Sequence, residues 1–245
     1  MIFTLIILFT LLGSVGSIGL ASLLLLFKKK QMKTVSAVLI PYAIGTLLGA
    51  AFLGMIPKAQ EQLSGERVYP FVIGGLLLFF MLEKFALWRH CHEEPCDIHS
   101  QAGSLILFGD SLHNFVDGVV IVAAFTSSIS LGITTSVAII AHEIPQEIGD
   151  FTILLDSGYT KARAFLFNTI SSLTALAGAL IAYFLLRFIL TLVPYILAVS
   201  AASFIYIALA DLIPGRRTTG GLKSLSWELP LIALGVCTIT LFHHG

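Results

Sequence analysis

Apolar residues fall along this chain in long blocks, separated by short polar or helix-breaking segments. Eight such windows stand out, at 2–27, 34–57, 68–88, 102–126, 131–155, 164–187, 193–213 and 224–243. Each reaches the roughly 20 residues that a helix rising about 1.5 Å per residue needs to cross a hydrocarbon layer of about 30 Å. Between 164 and 214 the only charges are Arg187 and Asp211. That stretch is twice one span's length, and Pro194 marks a turn dividing it. The expected fold class is an all-α integral membrane protein of eight transmembrane helices, in a single polytopic domain over 1–245.

Composition narrows the functions this fold can serve. Of 245 residues 57% are hydrophobic and 11% charged, against roughly 25% charged for a soluble domain, so a soluble globular protein is excluded. Lys+Arg and Asp+Glu balance at 14 each, leaving no basic surface to neutralise phosphates, and a nucleic-acid partner is excluded too. Cys91, Cys96 and Cys237 are odd in number and lack framework spacing, so disulfides do not hold the fold. The first apolar run is too long for a signal peptide, has no basic segment before it and ends at Lys28-Lys29-Lys30, which predicts a retained first span.

Basic loop residues are retained on the cytoplasmic side. Placing the first loop inside puts eleven of the 14 Lys and Arg inside and leaves only Lys58, Arg67 and Arg187 outside. Both termini are then outside, residues 89–101 are cytoplasmic, and the expected setting is the cell membrane, with the lipid bilayer as the surrounding partner.

Acids inside a bilayer cost roughly 2.5–3.5 kcal/mol each even on the lenient insertion scale. Here they are concentrated. Asp110, Asp117, Glu143, Glu147 and Asp150, five of the 14 acids, lie in the fourth and fifth spans with His113, Asn114, His142 and Gln146. His113 and Asp117 are i,i+4, as are His142 and Gln146, so each pair projects from one helix face. The two spans are joined only by residues 127–130, which makes them antiparallel neighbours. Counted from Ile129, the first pair is centred 14 residues back and the second 15 forward, about 21–22 Å along either helix. The two clamps are expected at one depth, with Asp110 and Asp150 a turn nearer the cytoplasm, so that polar residues stack along a path.

Imidazole nitrogen with carboxylate and amide oxygen is the donor set of a borderline divalent cation such as Zn²⁺, with Fe²⁺ or Mn²⁺ as alternatives; without thiolate, Cu(I) is disfavoured. Pro145 removes a backbone bond and presses on the carbonyl of Ala141, an irregularity tolerated where helices are buried or line a cavity. The plain alternative is a polar network gluing two helices together, but glue usually takes one or two Ser, Thr or Asn. Asp110 and Asp150 could equally pair with cytoplasmic basic groups. The segment from His90 through His92 to His99 could capture a metal leaving the path, or be a solvated loop; its spacing matches no structural zinc motif.

His113-Asn114-Phe115-Val116-Asp117-Gly118 together with His142-Glu143-Ile144-Pro145-Gln146-Glu147-Ile148-Gly149-Asp150 resembles the paired signatures of the ZIP family of divalent metal-ion transporters. The likeness is greatest to the branch with His-Glu-x-Pro-His-Glu-x-Gly-Asp in the fifth helix. It extends to Asn168 and Ser171 in span six and to the run Phe204-Ile205-Tyr206-Ile207-Ala208-Leu209 in span seven. The resemblance implies a metal site of His113, Asn114, Asp117, His142, Glu143 and Gln146, with Gln146 a neutral ligand where the family has His or Glu. Glu147, Asp110 and Asp150 are then pathway or second-level residues. It also implies a transport bundle of spans 1, 4, 5 and 6 moving against a scaffold of spans 2, 3, 7 and 8.

The expected function is transport of divalent metal toward the cytoplasm. Zn²⁺, or else Fe²⁺, Mn²⁺ or Cd²⁺, is the cargo, there is no cofactor, and a homodimer stays open as an assembly. The rival is an intramembrane metalloenzyme, since His142-Glu143 begins a His-Glu-x-x-His motif; Gln146 stands where its second His belongs, and Pro145 sits where regular helix is wanted.

Overall fold

The structure is a computed structural model that describes residues 1–24, 29–63, 65–90, 98–185, 190–213 and 221–243. Among these residues all regular structure is helical. The helices are α1 (Ile2–Leu11), α2 (Ser17–Leu24), α3 (Lys29–Gly49), α4 (Ile56–Leu63), α5 (Tyr69–His90), α6 (Ile98–Ser127), α7 (Ile129–Asp156), α8 (Lys161–Ser172), α9 (Thr174–Phe184), α10 (Val193–Tyr206) and α11 (Gly221–His243). A wide π turn over Leu12–Gly16 joins α1 to α2, a second over Ala50–Met55 joins α3 to α4, and a third over Ile207–Leu212 extends α10.

Among the described residues four helical stretches are long and apolar enough to cross a membrane, Ile2–Leu23, Ala37–Leu63, Lys161–Phe184 and Val193–Ala210. Large apolar side chains cover the exterior, with Phe184 75% and Leu241 77% exposed, as expected where lipid and not water is the surrounding medium. This is an all-helical membrane protein.

Two boundaries differ from the apolar windows for local reasons. The second window stays helical past residue 57, through α4 to Leu63, because the polar residues there are good helix formers and Lys58 bridges Glu61 at 2.6 Å, an i,i+3 pair on one face. The sixth window breaks at Leu173, between α8 and α9. At that break Thr174 donates to the carbonyls of Ser111 and Ser171 at 2.6 Å, and Ser171 donates to the Leu107 carbonyl at 3.2 Å. These hydroxyls compete with the regular backbone ladder and tie the break to α6.

The turn from α7 to α8 closes by backbone geometry. Gly158 has φ +87°, its N–H donates to the Leu155 carbonyl at 3.0 Å, and the N–H of Tyr159 reaches the Leu154 carbonyl at 3.0 Å, a glycine-capped helix end. Tyr159 packs against the buried cluster of Phe151, Leu154 and Ala164, the kind of apolar contact that often accompanies such an end. Thr160 then caps α8, its side chain accepting from the N–H of Arg163 at 3.3 Å. Because a side chain at this φ is strained, Gly158→Ala should cost about 1 kcal/mol, read as a lowered thermal unfolding midpoint in detergent.

One group of helices, α1 and α2 with α6, α7, α8 and α9, surrounds the polar residues; outside it, α3 packs on both α11 and α7, and α5 packs on α10. Within that group α6 and α9 cross at glycine. A Cβ on Gly118 would fall on the Ala175 carbonyl, and one on Gly178 on the Phe115 carbonyl. Backbones can approach so closely only without side chains between them, which is how small residues hold helices together where no hydrophobic force acts. Gly45 and Gly235 make the same kind of close contact between α3 and α11.

Candidate metal centre

α6 and α7 are antiparallel neighbours separated by one non-helical residue, Ser128, whose hydroxyl caps α7 by accepting from the N–H of Leu131 at 3.1 Å. A hairpin this tight fixes the register, so residues equally far from the turn meet. His113 and His142 do meet: their Nε2 atoms lie 3.2 Å apart.

Around those two nitrogens the structure gathers Asp117 and Glu143. Asp117 Oδ2 is 3.8 Å from His113 Nε2 and 3.5 Å from His142 Nε2. Glu143 Oε1 is 3.5 Å and 3.6 Å from the same two atoms. All four donor atoms lie within 4.8 Å of one another. A tetrahedral cation with metal–ligand distances near 2.0–2.1 Å separates its ligands by about 3.3 Å. The five measured edges, 3.2–3.8 Å, bracket that value.

Burial makes a cation the natural complement. Asp117, His142 and Glu143 are at most 4% exposed, and the Asp117 Oδ2 and both Glu143 oxygens have no hydrogen-bond partner. A buried carboxylate without a partner is costly unless a cation or donor meets it. Two carboxylates with two neutral imidazoles balance a divalent charge. The His142 ring is already oriented to bind one. A carbonyl can only accept, so the contact of this ring with Ala138 O at 3.0 Å fixes Nδ1 as the donor and leaves the Nε2 lone pair facing the cluster. Phe204 of α10 closes the other side of this ring, centroids 5.8 Å apart. His113, with 20% of its side chain exposed, is the open member.

The remaining expected ligands are placed differently. Asn114 and Gln146 both turn their NH₂ groups to Asp110, each 3.0 Å from its Oδ1. Glu147 accepts from Ser172 of α8 at 3.0 Å. Asp150 is partly buried near the end of α7. The side chains of His90 and His99, and all of His92, lie outside the described residues. Sequence reasoning missed Ser172. Its spacing of four from Asn168 was the available signal, but only the break at Leu173 and the packing of α8 on α7 show that it reaches Glu147.

Comparison with known proteins identifies the family. The family model described as ZIP Zinc transporter matches residues 86–243, which hold every residue of the cluster. Zinc transporter ZIP6 of Homo sapiens is 42% identical over 110 residues, covering 45% of this chain and 15% of that protein. Zinc transporter ZIP10 of Homo sapiens is 36% identical over 139 residues, covering 52% and 17%. Zinc transporter ZIP4 of Rattus norvegicus is 30% identical over 249 residues, covering 70% and 37%. The chain thus spans well under half the length of these relatives. With the family pattern extending over most of its length and its paired helices carrying the signature residues, the chain belongs to the ZIP zinc transporter family.

Proposed function

We propose that this protein carries divalent metal ions, zinc foremost, across the cell membrane toward the cytoplasm by alternating access. The observation that carries the reading is the buried four-donor cluster, two imidazoles and two unpartnered carboxylates on adjoining helices at tetrahedral spacing. His113, Asp117, His142 and Glu143 hold the ion. Asn114 and Gln146 supply amide oxygens beside it, and Glu147 and Asp150 continue the acid-lined route. The chain crosses the bilayer eight times with both termini outside. The helices α1, α2 and α6–α9 move as one body against α3, α5, α10 and α11, across an interface where α7 packs on α3 and α11.

The test is uptake of radioactive zinc into vesicles holding the purified protein. Saturable uptake is expected, with Fe²⁺ competing better than Mn²⁺, in the order that nitrogen and oxygen donors impose on divalent ions. Uptake no greater than in protein-free vesicles would overturn the reading.

A further inference from the structure

Asp110 is 5% exposed, lies one turn from His113 on α6, and is outside the four-donor cluster. Its Oδ1 accepts from Asn114 Nδ2 of its own helix and from Gln146 Nε2 of α7, both at 3.0 Å, and its backbone carbonyl accepts from Asn114 Nδ2 again at 3.1 Å. Carboxylate and carbonyl oxygens only accept, so the NH₂ end of each amide must face Asp110. Both amide oxygens are therefore turned away from it. The Asn114 oxygen is also left nearly free. Its one contact is the Ser172 hydroxyl at 3.5 Å, and that hydroxyl's single proton lies closer to Glu147 Oε1, at 3.0 Å.

An amide offers a cation a ligand through oxygen and a repulsive dipole through NH₂, and the two ends have almost the same shape. Packing alone selects poorly between them; a hydrogen bond to a pure acceptor selects well. We propose that Asp110 is the positioning residue of the metal site, one carboxylate oxygen holding the amides of Asn114 and Gln146 on two helices so that both present oxygen to the ion. The proposal rests on the transport reading and deepens it: Asp110 acts on the ion through these two side chains and not as a ligand.

The second oxygen of Asp110 makes the proposal separable from a charge effect. Oδ2 has no partner, so an Asn at 110 keeps the one acceptor that both amides use. Zinc uptake by the full chain in vesicles, at equal incorporated protein, should show Asp110→Ala raising KM about tenfold, the lower end for losing an outer partner of a metal site, with maximal rate changed by less than about twofold. Asp110→Asn should recover most of that loss. In a chain already carrying Asn114→Ala and Gln146→Ala, Asp110→Ala should add less than about twofold, since nothing remains to orient. Should Asp110→Ala not fold, an exchange serves instead: Asn114→Asp sets two carboxylates face to face and impairs uptake, and adding Asp110→Asn, whose amide can donate to one side and accept from the other, restores it.

Asp110→Asn as impaired as Asp110→Ala, an undiminished Asp110→Ala effect in the amide-free chain, or no recovery in the exchange would each overturn the proposal. Failure of the unaltered protein to take up zinc would sink the transport reading itself. Normal uptake with the wrong pattern among these variants would sink only the role of Asp110.

Discussion

Replacing His113 and His142 together by Ala should abolish saturable zinc uptake, and either replacement alone should lower it by more than about 100-fold. The single losses exceed the 10–100-fold typical for partners one step removed from a metal, because in the proposed site each imidazole, with its Nε2 at the cluster, is a direct donor to the ion. The two losses should not multiply. With one imidazole gone, the ion keeps only two carboxylates, a single ring and the weaker neutral amide oxygens, a set that holds it loosely, so the second removal has less left to destroy. Calorimetric titration of the purified protein with zinc should show the same pattern in affinity. Uptake unaltered in the double variant would remove both residues from the mechanism.

Gly118→Ala should be the most damaging single-methyl change in the described residues of α6, costing about 1–3 kcal/mol of stability as overpacking does. The added Cβ falls on the Ala175 carbonyl and close to the backbone nitrogen of Ala179, so a backbone and not a side-chain tip must move. The consequence reaches the site. Gly118 follows Asp117 directly, and α9 is continuous through the Leu173 break with α8, which brings Ser172 to Glu147. Forcing α6 and α9 apart therefore shifts Asp117 relative to His142. Both the thermal midpoint and the zinc affinity should fall. Gly109→Ala on the same helix provides the opposite sign: nothing lies within 4 Å of its Cβ position, so Ala there should be neutral or gain about 0.5–1 kcal/mol from helix propensity. Equal effects from the two substitutions would remove the close crossing as the cause.

The placement of His113 opposite His142 shows how far local information reaches. A one-residue turn at Ser128 and a helix rise that does not vary make equal sequence distance equal depth, so the meeting of the two rings needed only counting. The helical windows were legible for a similar reason: in lipid every backbone polar group must be satisfied within its own helix, so long apolar runs allow little else. Gln146 shows where counting stops. Its spacing from His142 puts both on one face of α7, yet its NH₂ is held by Asp110, 36 residues away on α6.

What the sequence by itself determined is the class of molecule, the approximate location of its helices and the pair of helices on which the candidate metal donors lie, because these follow from apolar length, helical periodicity and one short turn. Only the tertiary structure decided which donors converge and which way each side chain faces. Glu143 joins the cluster although it is adjacent in sequence to His142, Asn114 and Gln146 are turned toward Asp110, and Ser172 enters from a third helix through the break at Leu173. The physical reason is that periodicity specifies the face of a helix, whereas rotamer choice and helix approach are set by contacts between segments distant in the chain, such as the glycine crossing of α6 and α9.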